Sequence, residues 1–264
     1  MFGYFIYRHA WRYALAPDKE SQLTDSQCKA LLKNGGWMIR NTFDFDCNTP
    51  TDFWYLIKDS YGGMEELTKN NRQKIRKAFR LLEFKLVDKS LIAEKGYEIT
   101  QKTYDGYRIK DRRMNKRIFN DLLQLWDEKT YDFWGFFDRK DGRLIGFCVI
   151  KVFDDCCLYD TVCVLPEYKC NKSGVYYGKY HITNEYYLKE KHFKYVFDGT
   201  RTITEHSNIQ EFLVQNFNFR RAYCKLQIKY KWWFGIIVRL LLPFRKIIKN
   251  RNVRAVLNMH LMQS

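Results

Sequence analysis

At 264 residues, with 46% apolar and 29% charged side chains and only four prolines, the chain has the composition of a folded protein of one large or two small domains. That balance excludes a disordered or low-complexity chain, and no repeat at solenoid or propeller periods is present. The formal net charge of +16 is unevenly spread: beyond Glu211 there is no acidic residue, while eleven cations run from Arg220 to Arg254. Such a one-signed segment seeks phosphate, in lipid headgroups or in nucleic acid.

No stretch reaches the roughly eighteen uncharged residues of a membrane-spanning helix. The N-terminal MFGYFIYRHAWRY is too short in its apolar run, is interrupted by Arg8 and lacks a small-residue cleavage site, so it does not read as a signal peptide. The eight cysteines form neither a CxxC pair nor a ligand spacing with the five histidines, so no metal is expected and a reducing, cytosolic setting is.

In chain order, residues 20–33 read as a helix, and 37–47 and 52–59 as two strands around a Pro-containing turn. Within GGMEELTKNNRQKIRKAFRLL, Ile75, Ala78, Phe79 and Leu82 recur at helical spacing with basic residues around them. A short strand (84–88) and two helices (89–108 and 113–130) follow. YDFWGFF, RLIGFCVIKVF and CCLYDTVCVLP then predict an antiparallel meander, its first turn built on Asp141-Gly142. Helix 174–191, strand 193–199, helix 206–216 and a last strand pair in FNFRRAYCKLQIKY complete the pattern. A meander that gives way to alternating helix and strand predicts a mixed sheet, and the switch after Pro166 is the natural place for a ligand crevice.

Three stretches carry a resemblance to GNAT-type acyltransferases, and within them to the FemAB-like branch. ELTKNNRQKIRKA (66–78) resembles the basic helix before the acyltransferase domain of FemAB-like proteins. VCVLPEYKCNKSGVYYGKYHITNEYYL (162–188) resembles the strand, loop and helix that hold the acyl carrier. FDGTR…SNIQEFLVQNFNFRRAY is similar to the closing strand, helix and strand, which usually end in FGFR. The loop NKSGVY keeps only Gly174 of the small residues that cradle a pyrophosphate, Asn218 stands where Gly is usual, and the tyrosine often used as general acid is absent near Val214.

The resemblance implies an α/β (α+β) fold: a mixed, mostly antiparallel GNAT-like sheet flanked by helices. It implies a reduced first domain over 1–83, an acyltransferase domain over 84–231 and a basic amphipathic segment over 232–264. It further implies that Asp160, Asp198, Glu167 and His206 are candidates to take a proton from an attacking amine. Backbone amides around Val162 and Val164 would polarise the acyl carbonyl, and Lys172, Ser173, Gly174 and Lys179 would receive the phosphates of the carrier. The donor would be acyl-CoA or aminoacyl-tRNA, and the acceptor an amine of a cell-envelope precursor, such as an amino sugar or peptidoglycan intermediate. WWFGIIVRLLLPFRKIIKNRNVR reads as an in-plane helix on an anionic membrane surface, at the inner face of the membrane, or else as a C-terminal helix packed on the domain with a basic outer rim. Two other readings stand beside this one: a non-catalytic nucleic-acid-binding module, possible tRNA contact included, and a degenerate acyltransferase fold acting as a scaffold.

Overall fold

The computed structural model describes residues 3–106, 114–169, 173–203 and 208–263. The chain forms β1 (Tyr4–Tyr7), β2 (Ala10–Tyr13), α1 (Asp25–Lys33), β3 (Met38–Phe43), β4 (Trp54–Lys58), α2 (Lys69–Leu81), β5 (Leu82–Leu86), α3 (Lys89–Asp105) and α4 (Lys116–Leu125). It continues through β6 (Tyr131–Asp138), β7 (Leu144–Val152), β8 (Cys156–Val164), α5 (Pro166–Lys169) and α6 (Val175–Asn184), which ends in a π-helical turn over Glu185–Glu190. Then come β9 (Tyr195–Thr200), α7 (Ile209–Phe217), β10 (Arg220–Tyr223), β11 (Lys225–Tyr230), α8 (Trp232–Leu241) and α9 (Arg251–Leu261).

These elements fall into two compact units. One combines 1–56, 200–208 and 220–264; the other combines 57–199 and 209–219. The division cuts the sequence differently from the 1–83, 84–231 and 232–264 expected above, because the chain leaves the first unit and returns to it twice. The C-terminal helices therefore belong with the N-terminal strands rather than forming a separate tail.

In the first unit, β1 and β2 pair antiparallel, β2 runs parallel to β3, and β3 pairs antiparallel with β11 from Met38↔Tyr230 to Phe43↔Lys225. The predicted strands over 37–47 and 52–59 exist but do not form a hairpin, since β11 and β2 occupy both sides of β3. The predicted closing strand pair separates likewise: β11 joins β3, while β10 lies beside β4. One buried residue, Cys224, turns the chain between them. The hairpin of β1 and β2 turns at Arg8 and His9, whose φ values of 47° and 65° are those of a type I′ turn.

In the second unit the strand order is β9-β8-β7-β6-β5. Every pairing is antiparallel except β8 with β9. β7 is the central strand, and its run from Leu144 to Ile150 is buried throughout, as a strand covered on both faces requires. α3 packs on β7 and β8, whereas α2 and α6 pack on one another. α2 is capped by the Thr68 hydroxyl, which accepts from the Asn71 amide, and it buries Ile75 and Ala78 while Arg76 and Arg80 remain exposed. Two glycines let α6 approach: a Cβ on Gly178 would meet the Phe84 ring at 2.6 Å, and one on Gly174 would meet the Lys74 carbonyl at 2.7 Å. Gly174 also has φ +72°, a conformation glycine adopts freely. The helices predicted over 89–108 and 113–130 are shorter as observed, α3 stopping at Asp105 and α4 at Leu125.

Candidate active site

The site grows from a fork in the second unit's sheet. β8 and β9 pair at Cys156↔Tyr195, Cys157↔Val196 and Leu158↔Phe197, and the pairing ends there. The next residue on each strand is Tyr159 and Asp198. The sequence places the opening after Pro166; the structure places it within β8, where β9 ceases to follow it.

One step further along β8 the strand carries a bulge. Val149 faces Thr161 and Ile150 faces Tyr159, so Asp160 is the extra residue without a partner on β7. Bulges interrupt a ladder and re-aim side chains, and they concentrate near functional sites.

Over the fork lies Lys179 of α6. Its side chain is fully buried, with Nζ 3.7 Å from the centre of the Tyr159 ring and 3.6 Å from that of Tyr180. The ammonium has no hydrogen-bond partner among the described residues. Burial lowers its pKa to about 8, partly offset by Cys148 and Asp198. Asp198 is half-buried in the second half of β9, just before Gly199 with φ +90°. Burial pushes its carboxyl up to about 7, against the pull of Lys179. The two charges act on one another, yet they form no direct ion pair.

The walls are fixed by hydrogen bonds. The Tyr159 hydroxyl donates to Asn184 Oδ1 at 2.6 Å and receives Thr183 Oγ1 at 3.2 Å, while Thr183 also donates to the Lys179 carbonyl at 2.9 Å. Burial holds the Tyr159 and Tyr180 hydroxyls well above their ordinary pKa, so both rings are neutral. An ammonium held against two π faces with a carboxylate nearby is a preorganised dipole in a poorly solvated place.

The other expected residues are scattered. Asp160 is exposed and interacts with Thr161, Trp126, Lys151 and Tyr131, whereas Asp198 interacts with Lys179, so the two carboxylates share no partner among these. Glu167 is 54% exposed on α5 and 3.9 Å from Arg143. The Val164 amide donates to Thr103 Oγ1 at 3.1 Å, and the same hydroxyl donates to the Val164 carbonyl at 2.9 Å. That amide is therefore engaged and not free to polarise a substrate carbonyl. Val162 lies opposite Cys148 on β7, half-buried.

Ser173 accepts from the Val175 amide at 3.2 Å and donates to the Tyr168 carbonyl at 2.7 Å, closing the first turn of α6. With Gly174 pressed on Lys74, these two residues serve helix packing. Lys179 stands in the interior rather than beside the phosphate-loop sequence. Lys172 and His206 lie outside the described residues.

Sequence reasoning passes over Tyr159, Tyr180, Thr183 and Asn184, which together position Lys179. It also passes over a second buried group in this unit, where Lys58 Nζ meets Glu66 at 2.8 Å. Their only sequence signal is polar residues on the apolar side of a strand or helix, which the tyrosine-rich stretch 176–187 hides.

No protein-family profile matches this sequence, and no curated protein does. Solved structures do. The chain is similar to FemX, with 9% identity over 81% of this chain and 77% of that one, at a TM-score of 0.54. It is similar to L-PGS from Bacillus licheniformis, with 10% identity over 90% of this chain and 77% of that one, at a TM-score of 0.51. A functionally unknown conserved protein from Staphylococcus epidermidis aligns over 84% of each chain at 10% identity, with a TM-score of 0.46. At such identities the likeness is one of fold. The fold shared with FemX and L-PGS is a mixed, mostly antiparallel sheet with flanking helices.

Proposed function

We propose that the protein is an N-acyltransferase that passes an acyl or aminoacyl group to the amine of a cell-envelope precursor. The observation that carries this reading is the fork between β8 and β9, with Asp198 and Lys179 at its apex. Acyl transfer to an amine needs an unprotonated nucleophile, a stabilised oxyanion and a route for the proton. An Asp198 carboxyl poised near 7 suits the first and last of these, because an acid–base group works best with its pKa close to the operating pH. The Lys179 ammonium supplies a positive charge on the other side of the fork, where it can stabilise negative charge on a tetrahedral intermediate. The bond formed is the new amide; the bond broken joins the acyl carbon to its carrier, which leaves with the proton delivered from the amine.

For the donor, the exposed Arg76 and Arg80 on α2 favour a polyanionic carrier, and aminoacyl-tRNA fits that chemistry. The engaged first turn of α6 argues against coenzyme A as the primary donor. No helix among the described residues is long and apolar enough to cross a membrane. A surface attachment is supported by α8: Trp232, Ile236 and Leu240 stand 79%, 48% and 66% exposed at four-residue spacing, and Phe244 continues the line at 54%. Arg245, Lys246 and Lys249 follow directly, a composition that favours anionic headgroups on the cytosolic side.

The test is a transfer assay followed by mass spectrometry, offering aminoacyl-tRNA or acyl-CoA with amino-sugar nucleotides and muropeptide acceptors. We expect an amide product that Asp198→Asn loses. A purified, folded protein that yields no product with either donor, together with an in vivo phenotype unaffected by Asp198→Asn, favours the scaffold reading instead.

A further inference from the structure

The first unit carries a half-open cavity of about 610 Å³ that transfer chemistry leaves unused. Small-molecule sites occupy about 300–1,000 Å³. Arg8 at the β1–β2 turn, Arg12 on β2, Arg40 on β3 and Arg201 beyond β9 all line it, and among the described residues no Asp or Glu does.

These arginines are held in place. Arg8 and Arg12 lie over the Tyr7 ring at 5.5 and 5.1 Å. Arg40 donates to Thr200 Oγ1 at 2.6 Å and covers the Phe53 ring. Arg201 donates to the Asp52 carbonyl at 2.5 Å and meets the Asp52 carboxylate at 3.5 Å, so the uncompensated charge rests with Arg8, Arg12 and Arg40. The carboxylate that acts on Arg40, Glu20, is already engaged by Thr42 and by Tyr55. Arg12 Nε is buried and has no hydrogen-bond partner among the described residues. Burial, with a smaller contribution from the charge of Arg40, lowers the Arg12 pKa to about 10. Like charges gathered in a cavity without an anion are costly, and an anionic ligand removes the cost.

The rest of the lining says what else the ligand carries. α8 and α9 contribute Ile237, Leu241, Val253 and Val256. Phe234, Met38 and Met259 extend this apolar lining. Of the aromatic lining, Trp37 is stacked on His9 with ring centres 4.0 Å apart, which occupies one of its faces.

We propose that this cavity binds an anionic lipid, with its phosphate received by the arginines of β1–β3 and Arg201 and an alkyl chain laid against α8 and α9. Guanidinium forks match phosphate geometry, and two apolar helix faces match a hydrocarbon chain. The inference does not depend on the transfer reading, since binding is measured without donor or turnover.

The experiment uses the full chain and monomeric dodecyl phosphate, followed by tryptophan fluorescence and thermal shift. Inorganic phosphate and dodecyl maltoside form the other two arms. We expect saturable binding of dodecyl phosphate at least about tenfold tighter than of inorganic phosphate, and no binding of the maltoside. Arg12→Gln should weaken it about tenfold or more, the scale of losing one charged hydrogen bond. Val253→Trp, which intrudes on the apolar end of the cavity, should weaken it about tenfold or more with an unchanged far-UV spectrum; if that variant does not fold, Arg12→Gln decides. Equal affinity for inorganic phosphate reduces the cavity to a small-anion site, and equal affinity for the maltoside reduces it to an apolar groove. Either result overturns the proposal, as does binding that neither substitution changes.

Discussion

Lys179 holds its ammonium 3.7 Å from the centre of the Tyr159 ring, buried and without a hydrogen-bond acceptor among the described residues. A cation over a desolvated ring gains about 2 kcal/mol, while an ionised group removed from water loses several. The position therefore costs stability, which is the usual mark of a site kept for function. Lys179→Met, of similar length and apolar, should raise stability by about 1 kcal/mol or more at pH 7 while abolishing transfer.

The sign of the pH dependence follows from the same residue. Its folded pKa, about 8, lies below the ordinary lysine value. Between about 8 and 10.4 the unfolded chain keeps a proton that the folded chain has lost, so the wild-type protein gains stability as pH rises through that window. The advantage of Lys179→Met over wild type should thus shrink between pH 7 and pH 10 in paired urea melts. A constant difference would mean that the folded pKa of Lys179 is not depressed below its unfolded value.

Asp198 and Asp160 are separable by experiment. If the carboxyl of Asp198 accepts the proton, kcat/KM should climb as pH passes about 7. Asp198→Asn should remove that limb and lower kcat about 10²–10⁴-fold. Asp160→Asn should cost less than about tenfold, since the exposed Asp160 meets Trp126 and Lys151 instead of Lys179. A larger loss at Asp160 than at Asp198 would move the chemistry to the bulge of β8.

Packing at the start of α6 makes a stability prediction with an internal control. Gly174 and Gly142 share φ values of 72° and 71°, but a Cβ meets the Lys74 carbonyl at 2.7 Å in the first and nothing within 4 Å in the second. Gly142→Ala should cost about 1–2 kcal/mol from backbone conformation alone. Gly174→Ala should cost more than that, because main chain on α2 has to shift. Equal losses in chemical denaturation would show that α2 yields freely.

The exposed stripe on α8 predicts retention on membranes. Wild-type protein should co-sediment with vesicles rich in anionic lipid and much less with neutral ones, and added salt should reduce it. Trp232→Ser combined with Leu240→Ser should release the protein with no change in melting temperature, as both side chains are largely exposed. Unchanged sedimentation of the double variant would detach the stripe from any role in binding.

How much of this was legible in the sequence depends on how local the signal is. The meander over β6–β8 and helix α2 follow from alternation, an Asp-Gly turn and helical spacing, all read within a dozen residues. Asn218 adopts φ 56°, the left-handed backbone that let it stand for the usual glycine. The hairpin at Arg8-His9 was hidden because neither residue is a usual type I′ turn former. Partnerships of β3 and β11 were hidden because pairing across 180 residues leaves no trace in spacing. Asp198 was legible as an acid following a buried run, whereas Lys179 was expected to receive a carrier phosphate, and only its place in the helix was legible. That its charge points inward between two tyrosines was not, since a helical lysine is ordinarily solvated.

The first unit is closed by the last-made strand. β3 finds its antiparallel partner only when β11, at Lys225–Tyr230, has left the ribosome. The second unit has nearly all of its residues, 57–199, available well before that. Folding during synthesis ordinarily proceeds from the N-terminus; here the middle of the chain can consolidate first while the opening segment waits, its strand edge uncovered. Nascent chains stalled before residue 220 should accordingly protect the central residues from protease and leave the first fifty open to cleavage.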